Sequence, residues 1–203
     1  MKKVKLLGVG VLAALVLAGC SNNQPTTQHS QATSSSQSHM NSQTTTTTSG
    51  VPAEIKVSVA DAIAFYQEKH PNTDIISLEL ELDKSLGNYV YKIDGMDDNT
   101  EYELKFDAET KNVYHDRSEM LDHDEQNGVE RANEKLDLSN ILDLQAATQA
   151  AQKEAGSGTI ESWELDRNLG TTYWEVKFRV NNQEVNVKLN AQNGTILEKE
   201  VDD

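Results

Sequence analysis

Ile76-Ser77-Leu78-Glu79-Leu80-Glu81-Leu82 sets apolar against polar residues at every step. Alternation with period 2 belongs to a strand with one face in a core and the other in water. It predicts Ile76, Leu78, Leu80 and Leu82 inward, and Ser77, Glu79 and Glu81 outward. Working outward, the next alternating runs are Tyr89, Tyr91, Ile93 and then Tyr102, Leu104, Phe106. Asp97-Asp98-Asn99 separates those two runs with turn chemistry. Upstream, Val59, Ala62, Ile63 and Tyr66 recur at i, i+3, i+4 and i+7, the apolar stripe of a helix. Ser58 supplies its N-cap, Asp61 stands three residues on as in a capping box, and Pro71 ends it.

The same order of elements recurs 85 residues later. Leu144, Ala147, Thr148 and Ala151 repeat the helical stripe, with Asp143 at the cap and Gly156 and Gly158 as the stop. Trp163 and Leu165 take the inward places of Leu78 and Leu80. Trp174, Val176 and Phe178 stand for Tyr89, Tyr91 and Ile93, while Glu175, Lys177 and Arg179 face the other way. Val185, Val187 and Leu189 repeat Tyr102, Leu104 and Phe106 at a shift of 83. The lost pair of residues is assigned to the hairpin in which Asn181-Asn182 replaces Asp97-Asp98-Asn99. Each copy then closes in a turn, Asp107–Val113 or Asn190–Ile196. Gly194 is free to adopt a left-handed backbone. Lys111 at the matching place is not, so Asn112 is expected to adopt it instead. A short last strand, Val113-Tyr114 or Ile196-Leu197, follows.

A cap, an Ala-rich helix, an alternating strand, a Tyr-x-Val type strand and an Asp-Ala-x-Thr-Gly-x-Val turn form a recognisable series. It resembles the PepSY domain. The first copy carries the resemblance in Ser58 to Ala64, Tyr89-Val90-Tyr91 and Asp107-Ala108-Glu109-Thr110. The second carries it in Asp143 to Ala151, Trp174-Glu175-Val176 and Asn190-Ala191-Gln192-Asn193-Gly194. Lys111 stands where the pattern has glycine, and Asn193 where it has threonine. The resemblance implies an α+β fold of two tandem units, each one helix packed on a three- to four-stranded antiparallel sheet. PepSY domains occur in propeptides of thermolysin-like metallopeptidases and in exported bacterial lipoproteins. The resemblance therefore implies a protein that restrains or modulates peptidases outside the cell and brings no catalytic residues of its own.

The N-terminus reads differently. Lys2, Lys3 and Lys5 precede an apolar run, Leu6 to Leu17, and Leu17-Ala18-Gly19-Cys20 follows. The run is shorter than the ~20 residues a permanent transmembrane helix needs and suits a cleaved export signal. Leu-Ala-Gly-Cys resembles the bacterial lipobox. That resemblance makes Cys20, the sole cysteine, the lipidated N-terminal residue of the mature chain. An ordinary secretory signal with a chance cysteine is the alternative. Loss of residues 1–19 removes three lysines and no acid, which leaves 33 acidic against 15 basic side chains. So negative a chain is unsuited to nucleic acid or to anionic lipid heads. The membrane is held by the lipid, and no thiol remains for a disulfide. Residues 21–50 contain no charged side chain and too little apolar surface to fold, a tether rich in Ser, Thr and Gln. His29 and His39 belong to it. The expected organisation is a lipoprotein signal peptide at 1–19, the lipidated cysteine and tether at 20–50, unit 1 at 51–118, an acidic linker at 119–138 and unit 2 at 139–203.

No nucleophile motif, phosphate loop or cysteine pair is present. The one cluster with chemical potential is His115, Asp116, Glu119, Asp122, His123, Asp124 and Glu125. Were it helical, His115, Glu119 and His123 would share a face suited to a transition metal. A charge run of this kind otherwise stays solvated as linker, and that reading is preferred. Trp163 and Trp174 read as core rather than as exposed anchors, because they fall on inward positions. His70 reads as a helix-end residue. No catalytic residue, cofactor or metal site is assigned. The expected function is a lipid-anchored, extracytoplasmic, non-enzymatic binding protein at the cell membrane with a protein partner, an exported peptidase foremost. A small-ligand or metal-binding envelope lipoprotein and a structural spacer are the alternatives.

Overall fold

The computed structural model describes residues 50–202. In chain order the elements are α1 (Val59–Lys69), β1 (Asp74–Asp83), β2 (Asn88–Met96), β3 (Thr100–Asp107), β4 (Val113–Met120), α2 (Val129–Glu134), α3 (Leu144–Ala155), β5 (Thr159–Asn168), β6 (Thr171–Val180), β7 (Gln183–Asn190) and β8 (Ile196–Asp202). Each repeat is thus a helix followed by a four-stranded antiparallel meander. The fold is α+β as expected, but the two copies are not separate helix-on-sheet units. Their meanders join edge to edge in one eight-stranded sheet, ordered β4-β3-β2-β1-β5-β6-β7-β8.

The junction is antiparallel, with Leu78 opposite Leu165, Glu79 opposite Glu164, Leu80 opposite Trp163 and Glu81 opposite Ser162. Residues 85 apart are equivalent in these two strands, so a local twofold axis passes through the Glu79–Glu164 pair. The physical reason for fusion is plain. A lone meander would leave β1 with an open edge and a core near the lower limit of size. Pairing the two first strands closes both edges and merges the cores. One contiguous cluster results, with Ala62, Tyr66, Ala147 and Ala151 of both helices over Leu78, Leu80, Trp163, Leu165, Trp174 and Val187 of the sheet. Both helices therefore cover the same face.

The twofold relation extends to fine detail. Ser58 caps α1 by accepting from the Asp61 amide (3.1 Å), and Asp143 caps α3 by accepting from Ala146 (2.7 Å). The Tyr91 hydroxyl donates to the Val57 carbonyl (2.8 Å), and the Trp174 indole N–H donates to the Leu142 carbonyl (3.1 Å). Each ties the segment entering a helix to the second strand of its repeat. Strand register is irregular in β1 at Ile75/Ser77 and in β5 at Ile160/Ser162, again 85 apart. One difference is compensatory. Tyr66 in α1 lies against Gly95, where an added Cβ would crowd the Tyr66 ring (2.9 Å) and the Asp74 carbonyl (2.8 Å). The equivalent positions in the second copy hold Ala151 and Phe178, so the bulk moves from helix to strand.

Several sequence expectations change. The bulge in β1 brings Ile75 into the core in place of Ile76, and Leu82 is exposed near the hairpin. The register equates Tyr91 with Trp174 and Ile93 with Val176, a shift of 83 already in the second strand. The two extra residues therefore sit in the first hairpin, Lys84–Gly87 against Leu169-Gly170, and not in the second. Lys111, not Asn112, adopts the left-handed backbone, at φ +62° against +73° for Gly194. The turn dictates it. The Asp107 side chain accepts from the Glu109 and Thr110 amides while its carbonyl accepts from Lys111, as Asn190 does for Gln192, Asn193 and Gly194. The last strand of each copy is also longer than expected, reaching Met120 and Asp202. Asn181 and Asn182 both have positive φ, as the type I′ turn of a two-residue hairpin requires.

Candidate functional site

Among the described residues, α1 and α3 pack on one face of the sheet, and the other face carries outward side chains of the strands, most of them charged. The central transverse row can be read from the register. It runs His115, Lys105, Lys92, Glu79, Glu164, Glu175, Lys188 and Glu198, from β4 to β8. Three carboxylates therefore stand directly opposite one another on β1, β5 and β6. All three side chains are half-buried among their neighbours.

On the first half of this face the charges are matched. Lys92 meets Asp94 at 2.9 Å and Glu103 at 3.4 Å, and Arg117 meets Glu103 at 2.8 Å. Ser77 donates to Asp94 at 3.0 Å. Burial pushes the Glu103 carboxyl up, but Arg117 and Lys92 outweigh it and hold it below the usual glutamate range. On the second half the cations turn outward. Lys177 pairs with Glu184 (3.1 Å), Arg179 with Glu161 (2.8 Å) and Lys188 with Glu198 (2.8 Å). Lys188 reaches Glu175 only at 3.9 Å. Among the described residues, no cation lies within ion-pair distance of Glu79 or Glu164. Burial, then Asp166, Glu175 and Glu79, push the Glu164 carboxyl up to about 7. Burial and the Glu81 charge also raise Glu79, and burial raises Glu175 against the pull of Lys188 and Lys177.

The sheet also ends in two unpaired edges. β4 is exposed along its whole length, and β8 nearly so. Their charged and polar side chains suit edges that must stay soluble yet present free backbone groups.

The residues singled out in the sequence fall as follows. Cys20, His29 and His39 lie outside the described residues. His115 and Glu119 sit on strand β4 and His123 in the turn after it, so the helical face imagined for them does not form. His115 approaches Glu103 at 3.6 Å across the strands. Among the described residues no group of three or more His, Cys, Asp or Glu side chains is placed to hold a metal ion. Trp163 and Trp174 are fully buried, and the Trp163 indole donates to Thr148 (2.8 Å). His70 caps the C-terminus of α1 and lies 3.1 Å from Asp116 of β4. A groove of about 450 Å³ is lined by Glu54, Asn88, Asp107 and Glu109. Its Asp107 is already spent on the closing turn and on the Tyr114 hydroxyl. No described helix is long and apolar enough to cross a membrane. The carboxylate row was missed in the sequence, although Glu79 and Glu164 were both legible as outward residues. Only the pairing of β1 with β5 brings them together.

Comparison with known proteins agrees with this architecture. No curated protein matches the chain. A crystal structure of a protein from Clostridium difficile 630, provisionally described as a lipoprotein, is 39% identical. The match covers 73% of this chain and 95% of that one, with a TM-score of 0.69. The pattern described as "Peptidase propeptide and YPEB domain" matches residues 56–113, which span α1 to β3, and again 141–200, which span α3 and β5 to most of β8. The chain belongs to the PepSY family and carries its domain twice.

Proposed function

We propose that this chain is a lipid-anchored, extracytoplasmic binding protein without catalytic activity, which engages an exported peptidase through the uncovered sheet face and the edges beside it. The observation that carries this reading is the fusion of two PepSY units into one sheet with both helices on one side. That arrangement leaves a broad, rigid, charged surface free for a partner, and rigid surfaces bind with less ordering cost than loops. The Leu17–Cys20 sequence and the lipoprotein description of the crystallised relative support the anchor. The family's association with peptidase propeptides supports the class of partner. Polar groups on a flat face, with free strands at its rim, suit recognition of a folded protein or of an extended segment added to an edge.

The test uses the full chain, processed and membrane-bound. Exported peptidases of the same cell are assayed with and without it, and proteins retained by it are identified from envelope extract. The expected result is a changed activity for at least one peptidase, together with its retention. Unchanged activities and no retained peptidase would overturn the reading. Cys20→Ala separates the anchor from the binding. It should release the protein from the membrane fraction and leave peptidase binding intact.

A further inference from the structure

We propose that the junction between the two repeats is a proton-binding joint made of Glu79 on β1, Glu164 on β5 and Glu175 on β6, tight when the three carboxylates share a proton and loosened when all are ionised. The inference rests on register. Glu79 stands opposite Glu164, and Glu164 opposite Glu175, all on the uncovered face. Side chains directly opposite across antiparallel strands have Cβ atoms about 4.5–5.5 Å apart, and like charges there oppose pairing. A half-buried position strengthens that repulsion, because less water screens it.

The charges around the trio relieve it only in part: Lys188 reaches Glu175 at 3.9 Å, and Lys177 and Lys92 pull from further away. From β1, Glu81 adds a negative charge. From β2, Lys92 is engaged by Asp94 and Glu103. From β5, Asp166 adds another negative charge, and its carboxylate is occupied by the Arg167 amide (2.6 Å) and the Tyr173 hydroxyl of β6 (3.3 Å). From β6, Lys177 is drawn to Glu184, and from β7, Lys188 is drawn to Glu198. From β8, Glu200 raises Glu175 further. Burial and these neighbours push Glu164 up to about 7, above the value it has in an unfolded chain.

One proton taken from solvent by Glu164 changes the sign of the contact. The carboxyl becomes a donor, and its O–H can serve the carboxylate of Glu79 or Glu175 as a short, charge-assisted hydrogen bond across the strands. No other bond is made or broken. Because the folded value is raised, the contribution to stability is full below the unfolded carboxylate range and is lost as pH rises through about 7. The junction is the place where such a change matters, since it registers only over Leu78–Glu81 against Ser162–Leu165.

The full chain without its signal segment is titrated by carboxyl ¹³C NMR, and its thermal unfolding is followed from pH 5.5 to 8. Glu164 should titrate near 7, and the melting temperature should fall by roughly 5 °C across the range. Glu164→Gln should remove most of that fall, while Glu119→Gln on β4 should leave it. Glu175→Lys gives β6 the residue that β2 has at Lys92 and should lower the Glu164 midpoint by at least one pH unit. A wild-type midpoint below about 5.5, or a Glu164→Gln protein that keeps the full pH dependence, would overturn the proposal. If the glutamine variant fails to fold, the wild-type titration decides alone.

Discussion

The two halves of the sheet share caps, bulges and anchoring hydrogen bonds, yet differ in charge across the uncovered face. Where β2 carries Lys92 opposite Glu79, β6 carries Glu175 opposite Glu164. The first half is consequently a closed network in which Lys92, Asp94, Glu103 and Arg117 satisfy one another. The second turns its cations to the rim and leaves carboxylates at the centre. The helix-facing side shows the opposite behaviour. There the exchange of Tyr66 and Gly95 for Ala151 and Phe178 keeps the volume roughly constant. A duplicated fold constrains the total volume of its core strictly but leaves each copy free to distribute charge on water. The face on which the copies have diverged in charge is the one that neither α1 nor α3 covers.

Substitutions on the two faces separate these behaviours. The largest effect belongs to Trp163→Ala, which empties a fully buried site shared by both repeats and leaves the Thr148 hydroxyl without its donor. A loss of about 3–5 kcal/mol is expected by chemical denaturation. It should destabilise both halves together, because Trp163 lies opposite Leu80 of the first repeat. Gly95→Ala comes next. The new methyl meets Tyr66 and the Asp74 carbonyl, and a cost of about 1–3 kcal/mol should follow. Combined with Tyr66→Ala, much of the clash should vanish, which a double-mutant cycle would detect as coupling between the two sites.

Ser58→Ala and Asp143→Ala each remove one helix cap and should each cost about 1 kcal/mol. If the repeats are energetically alike, the two values agree within a few tenths. The next effect has the opposite sign. Lys111→Gly relieves a left-handed backbone that the Asp107 turn imposes, and should stabilise the protein by up to about 1 kcal/mol. Asn193→Thr in the matching turn tests the other departure from the family pattern, and little change is expected there: the backbone amide still meets Asn190, and a threonine hydroxyl can accept from the Thr195 amide as Asn193 Oδ1 does (2.9 Å), the bond Thr110 accepts from Asn112 in the first copy.

Much of this architecture was legible in the chain. Helix faces, caps, the inward set Leu78, Leu80, Trp163 and Leu165, and the Asn181-Asn182 hairpin follow from periodicity and turn chemistry alone. The errors share a physical cause. A period-2 pattern is unchanged by a slide of two, so alternation does not tell a shift of 85 from one of 83, and it leaves open which hairpin holds the extra residues. A bulge resets the phase without leaving any mark in hydrophobicity, so alternation points to Ile76 where Ile75 is the buried residue. Residues such as His115, Asp116 and Arg117 on β4 have no apolar period at all. That strand exists because the β3 backbone offers it partners, and edge strands of this kind are invisible to patterning. Fusion of the two sheets depends on which edges meet, which is set by the whole fold. The carboxylate row could not be anticipated without it.

The central claim is that the two PepSY repeats form one cooperative body through the β1–β5 junction. Differential scanning calorimetry of the folded protein tests it most directly. A single transition, with calorimetric and van't Hoff enthalpies in agreement, is the predicted result. Two resolved transitions, or a van't Hoff enthalpy near half the calorimetric one, would show two bodies that unfold separately and would contradict it.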